Sequence, residues 1–192
     1  MKLVAILGSV TPPGRLLSAV KWTVEDARAA NAGLEPQLIN LGEQKVAFAD
    51  GRPPEQYNDD TAAIVRSVND ADGVILATPV YRGSFTGALK NLLDHLPIES
   101  LAGKPIGIIA MGATHHHFLG ADWHLRDVLA WFGALVIPTS VYLASNDFVD
   151  GAIRENAKQD LRSLADALVK LRDVAPARGN FIGPKPLAAR RT

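Results

Sequence analysis

What most constrains this chain is the recurrence of short, continuous apolar runs, each followed by a segment with helical spacing. Lys2–Leu7 is closed by Gly8-Ser9, Gly73–Ala77 ends in Thr78-Pro79, and Lys104–Met111 stops at Gly112. Two less regular runs complete the set: Leu34–Leu41, which alternates like an edge strand, and Ala134–Tyr142, interrupted by Pro138. Between them, Leu16–Ala30 repeats apolar residues at Leu16, Leu17, Val20, Val24 and Ala27. Asp59, Asp60 and Thr61 are placed to cap a helix that buries Ala63, Ile64 and Val68. A third helix carries Phe85, Leu89, Leu92, Leu93 and Leu96, a fourth covers about His116–Phe132, and a fifth covers Ile153–Asp173. Strands that stay apolar without alternating are buried on both faces, as in parallel sheets covered by helices. The expectation is one α/β domain over residues 1–175, a doubly wound five-stranded parallel sheet with helices on both faces. A basic tail, 176–192, follows and is expected to be solvated.

Composition removes several function classes. The 192 residues balance 20 Lys+Arg against 20 Asp+Glu, so there is no basic excess for nucleic acid. With no Cys, a disulfide scaffold, a zinc–cysteine site and a thiol nucleophile are all excluded. Redox chemistry here therefore needs a borrowed cofactor. The longest apolar stretch, Val128–Pro138, is shorter than the ~18–20 residues a membrane span needs. A soluble, cytoplasmic protein is expected.

In a doubly wound sheet, ligands bind beyond the carboxyl ends of the strands, at the point where strand order reverses. Three loops qualify. The first, GSVTPPGRLLS, offers the hydroxyls of Ser9, Thr11 and Ser18, the cation of Arg15 and free N–H groups at a helix start, all suited to a phosphate dianion. It is neither a G-x-G-x-x-G fingerprint nor a Walker loop, and a plain Gly-Pro turn would read the same way. The second, TPVYRGSFTGALKN, sets Tyr81 at the mouth of a buried strand, with Gly83 and Gly87 permitting close approach of a flat ligand and Ser84 placed to cap the next helix. The third, GATHHH, offers backbone donors and the Thr114 hydroxyl to a carbonyl edge. The residues Gly42–Asn58 read as a long loop, functional or mobile.

These residues resemble the NADPH-dependent FMN reductases of flavodoxin-like fold, and particularly the branch that feeds reduced flavin to alkanesulfonate monooxygenases. The resemblance rests on GSxxxxxR at Gly8, Ser9 and Arg15 followed by Ser18, and on ADGVILATPVYRGSFTGALKNLLDHLP at 71–97. It continues through G-x-T-x-x-H-x-x-x-x-D at Gly112, Thr114, His117 and Asp122, and RGN at 178–180. It implies that Ser9, Arg15 and Ser18, with the amides of Leu16 and Leu17, hold the FMN phosphate. Pro79, Val80, Tyr81, Arg82 and Ser84 would line the isoalloxazine, and Gly112, Ala113 and Thr114, with His117 nearby, its pyrimidine edge. The family often has serines where this chain has Leu16 and Leu17, and two glycines where it has Gly112-Ala113. Weaker phosphate retention follows, which suits FMN that comes and goes.

The function implied is hydride transfer from NADPH or NADH to FMN, supplying a two-component monooxygenase. No catalytic side chain is needed: positioning does the work, with the Gly112–Thr114 donors as its electrostatic part. Two other readings stand: a reductase of quinones, azo dyes or metal oxyanions with prosthetic FMN, and a non-enzymatic FMN electron carrier, against which the zero net charge counts. No metal site is expected, because His117 and His124 lie too far apart on their helix and Asp122 is the only nearby carboxylate. The many apolar positions of the third helix, with Trp123, Trp131 and Phe132, suggest a second buried surface and hence a homodimer or homotetramer.

Overall fold

The first apolar run forms β1 (Lys2–Leu7), buried from its second residue onward. Its side chains divide between two cores: Leu3, Ala5 and Leu7 join one cluster, Val4 and Ile6 the other. That division is the period-two geometry of a strand with helices on both faces. The structure is a computed structural model that describes residues 1–190, without the side chains of His117, Leu119, Leu187 and Ala188. Arg191 of the expected basic tail lies outside the described residues.

β1 is followed by β2 (Glu35–Asn40), β3 (Gly73–Pro79), β4 (Pro105–Met111), β5 (Leu135–Val136) and β6 (Val141–Leu143), in the order β2-β1-β3-β4-β5. All pairings in this sheet are parallel. The expected fifth strand, Ala134–Tyr142, is in fact two: β5 pairs the start of β4 and β6 its end. Pro138, with no N–H to give to a ladder, falls in the gap.

α1 (Arg15–Ala30) and α5 (Glu155–Val174) cover one face, while α2 (Thr61–Asp70), α3 (Gly87–His95) and α4 (Phe118–Phe132) cover the other. A bidentate ion pair joins the first two, Arg162 Nε and Nη2 donating to Asp26 at 3.0 and 2.9 Å. The leucines of α3 do not form a second surface. Leu89, Leu92, Leu93 and Leu96 are buried within the chain, against Leu125, Leu129 and Phe132 of α4. What remains outside is aromatic: Phe118, Trp123 and Trp131 of α4 are 51%, 68% and 52% exposed.

Three further segments depart from the sequence reading. The 42–58 loop is tied down: Asn91 of α3 bonds Ala47 O and Ala49 N, and His95 Nε2 lies 2.8 Å from Ala47 O. Its far end is closed by Tyr57, whose hydroxyl donates to Asp50 at 2.6 Å. Hydrogen bonds from Arg52 first, and then from Tyr57, hold the Asp50 carboxyl well below the usual carboxylate range. A small antiparallel hairpin, β7 (Phe148–Val149) and β8 (Ala152–Ile153), occupies the start of the expected fifth helix. Its turn is Asp150-Gly151, both at positive φ, the residue pair such turns favour. Finally, the tail is docked at its beginning: Arg178 pairs Asp72 at 2.8 Å, and a Cβ on Gly103 would lie 2.2 Å from Asn180 O.

Candidate functional site

The strand order reverses between β1 and β3, and the loops leaving β1, β3 and β4 meet there. At the end of β1, Gly8 N donates to Ala77 O at 2.7 Å and Gly8 O accepts from the Thr86 hydroxyl. A Cβ on Gly8 would stand 2.8 Å from that of Leu89, so only glycine lets α3 approach this closely. Ser9 is buried, its Oγ 2.8 Å from Thr11 Oγ1. α1 starts after Gly14 with no side-chain cap and no acid in its first turn, leaving its first amides free for an anion. A cleft of about 160 Å³ gathers Ser9, Thr11, Arg15, Leu16 and Leu17 with Asn40 from β2, Pro79 from β3 and Met111 from β4.

Two of the expected phosphate ligands are turned elsewhere. Arg15 donates to Ser145 O at 3.4 Å and lies over the Phe148 ring at 5.6 Å. Ser18 Oγ points back to Gly14 O at 3.5 Å. Larger clefts exist, one at the opposite end of the sheet lined by Lys2, Glu35, Arg66 and Asp70, and one between α3 and α4. Neither is fed by a strand's carboxyl end.

In the second loop, Val80 N donates to Met111 O at 2.8 Å, which fastens the segment to β4. Tyr81 and Ser84 then exchange both backbone hydrogen bonds, 2.9 and 3.1 Å, around Arg82 and Gly83. Both turn residues have positive φ, 51° and 78°. Glycine takes this conformation freely, whereas for Arg82 it is a strained one. The turn leaves Tyr81 46% exposed. Ser84 does not cap α3; Thr86 does, accepting from Leu89 N at 3.1 Å.

The third loop is shaped by a residue the sequence reading passed over. Tyr142 of β6 donates its hydroxyl to Thr114 O at 2.8 Å, and burial pushes that phenol upward. A Cβ on Gly112 would lie 1.9 Å from the same hydroxyl oxygen. The one available signal was Tyr142's place at the end of a broken apolar run. Gly112 N is itself spent on Leu143 O at 3.0 Å, so of the three expected donors only Ala113 and Thr114, both exposed, keep their amides. Gly112→Ala is expected to destabilise by about 1–3 kcal/mol through overpacking, with part recovered in the double variant carrying Tyr142→Phe. Thermal denaturation of the three variants checks this.

The side chain of His117, expected near the ligand, lies outside the described residues. Among the described residues no group of His, Asp and Glu is placed to hold a metal ion. The arrangement as a whole has free amides and a buried hydroxyl at one end, an exposed aromatic on a fixed turn in the middle, and two backbone donors beyond it. It fits a ligand with a phosphate at one end and a flat, carbonyl-edged ring at the other, as FMN has.

The sequence model of the NADPH-dependent FMN reductases matches residues 1–148. An NAD(P)H-dependent FAD/FMN reductase of Geobacillus thermodenitrificans is 34% identical over 165 residues, covering 83% of this chain and 89% of that protein. The NADH-dependent FMN reductase SfnF of Pseudomonas fluorescens is 30% identical over 172 residues, covering 89% and 91%. Among solved structures, the apo form of the NADH:FMN oxidoreductase EMOB aligns with a TM-score of 0.77 at 24% identity, over 100% of this chain and 99% of that one, a likeness of fold. On this match, and on relatives similar along most of their length, the chain belongs to the NADPH-dependent FMN reductase family.

Proposed function

We propose that this NAD(P)H:FMN oxidoreductase uses FMN as a substrate and hands the reduced flavin to a two-component monooxygenase. The observation that carries this reading is the sparse phosphate corner. Pro12 and Pro13 have no N–H, Leu16 and Leu17 offer only their backbone, and Arg15 is engaged with Ser145 and Phe148. Such a corner holds a phosphate loosely, and a flavin that must leave after reduction needs loose holding.

FMN when bound supplies the chemistry, its ring accepting hydride from the nicotinamide. The chain supplies position. Ser9 and the first amides of α1 hold the phosphate, with Arg15 and Ser18 adjacent. Pro79, Val80, Tyr81, Arg82 and Ser84 bear the ring, and the amides of Ala113 and Thr114 face charge that grows on its carbonyl edge. No acid–base pair takes part.

The exposed aromatics of α4, Trp123 and Trp131, with a groove of about 450 Å³ beside Trp131 and Val128, support a homodimer or homotetramer. No described helix is long and apolar enough to cross a membrane. A reductase fed by NAD(P)H works where that pool is, and we place it in the cytoplasm.

Gel filtration and a nicotinamide assay test the proposal together. The protein is expected to emerge colourless and to oxidise NADPH or NADH through many turnovers, at a rate that rises with added FMN. A yellow protein indifferent to added FMN would favour the prosthetic-flavin reductase of quinones, azo dyes or metal oxyanions. No oxidation with either nicotinamide sinks both.

A further inference from the structure

α4 touches the Tyr81–Ser84 turn twice, from two residues on one stripe. Gly120 lies so near that a Cβ there would stand 2.3 Å from Gly83 O. One helical turn on, His124 Nδ1 is hydrogen-bonded to Ser84 Oγ at 3.0 Å. The spacing of four residues puts both on the same face, so α4 meets the turn along a line rather than at a point. The turn needs such support, because Arg82 is held in a left-handed conformation that persists only where neighbours over-determine it. Its own ties are the two backbone bonds between Tyr81 and Ser84 and the anchor of Val80 on Met111. None of these engages a side chain.

We propose that His124 is a positioning residue for the flavin: through Ser84 it fixes the turn, and with it the surface that Tyr81 presents to the ring. This rests on the reading of residues 79–84 as that surface. His124 touches no ligand in this scheme. Its side chain is exposed, so removing it opens no cavity in the core.

The experiment compares His124→Ala, His124→Asn, Ser84→Ala, the His124→Ala/Ser84→Ala double variant and Tyr81→Ala. Three quantities are read: the FMN concentration giving half-maximal NADPH oxidation, kcat at saturating FMN, and FMN affinity by quenching of flavin fluorescence. His124→Ala is expected to weaken FMN by about three- to tenfold, the span of one hydrogen bond's net worth. Its kcat stays within about twofold, as for a loss of uniform binding. Ser84→Ala loses at least as much, since Ser84 also lies on the ring's surface, and the double variant is no worse than Ser84→Ala because the contact with His124 is already gone. His124→Asn, whose amide sits where Nδ1 does and can meet the same hydroxyl, recovers most of the affinity. If Tyr81→Ala weakens FMN and His124→Ala does not, or if the His124 and Ser84 losses add, the positioning role is overturned. If neither Tyr81→Ala nor His124→Ala changes FMN affinity, the turn is not the flavin's surface and both ideas fall.

Discussion

Replacing Thr86 by valine is expected to destabilise the protein by about 2–4 kcal/mol, the sum of a lost helix cap and a stranded buried carbonyl. For a chain of this size the thermal midpoint should fall by roughly 5–15 °C. Thr86 is buried, and its one hydroxyl does two things: it accepts from Leu89 N to cap α3, and it donates to Gly8 O at the end of β1. Its N–H meanwhile goes to Thr78 Oγ1 at 3.1 Å, and that hydroxyl donates to Pro79 O at 2.9 Å. Two threonines thus knit the ends of β1 and β3 to the start of α3. Valine keeps the shape and removes only the bonds, so packing is not the variable. Because Gly8 leads into the loop proposed to hold the FMN phosphate, FMN affinity should fall with stability, and Thr86→Ser should restore most of both. A valine variant melting within about 2 °C of the parent, where surface-like substitutions fall, would show that the hydroxyl is not a hub.

Lys104 yields the second large effect, read as a dependence on pH. Its side chain is buried at the start of β4, with Nζ donating to Val68 O at 2.5 Å and Asn69 O at 3.2 Å, carbonyls at the end of α2. Burial first, and then the nearby Arg178, lower its pKa to about 8, against the pull of Asp72 and Asp70. The folded state therefore binds fewer protons than the unfolded chain between pH 8 and the ordinary lysine value of 10.5. Stability must rise with pH across that window, because the folded protein no longer has to hold a buried cation. The shift corresponds to about 3 kcal/mol. Urea denaturation of the parent and of Lys104→Met, from pH 7.5 to 10.5, should show the parent gaining about 3 kcal/mol on the variant. Parallel profiles would mean that the amine titrates normally.

The parts of the fold legible in the sequence were those with one physical signal each. Unbroken runs such as Gly73–Ala77 can be satisfied only by burial on both faces, and they became β3 and β4. The three loops followed from topology, and Gly8, whose Cβ would strike Leu89, lay inside one of the motifs. Illegible features depended on what lies across space. Ser84 and Thr86 are two hydroxyls two residues apart, and only the positions of Leu89 and Gly8 decide which one caps α3. The leucines of α3 looked too many for one sheet because the packing of α4 against them is a tertiary fact. Tyr142 carries no local pattern that points to Thr114, twenty-eight residues earlier. Asp150-Gly151 was the exception, a hairpin signal overridden by the helical spacing that begins at Ile153.

The Gly112–Leu143 hydrogen bond and the Arg162–Asp26 pair set a timetable as well as a shape. On the ribosome the N-terminal segments emerge first, so the loop after β1 is among the earliest parts of the chain to leave the exit tunnel. Yet the third loop acquires its form only when residue 143 has emerged, and α1 gains its clasp only with residue 162. The first-made helix is clasped by the last-made one. A chain stalled before residue 143 would carry the whole of GSVTPPGRLLS and still lack the two hydrogen bonds, Gly112 to Leu143 and Tyr142 to Thr114, that shape the third loop.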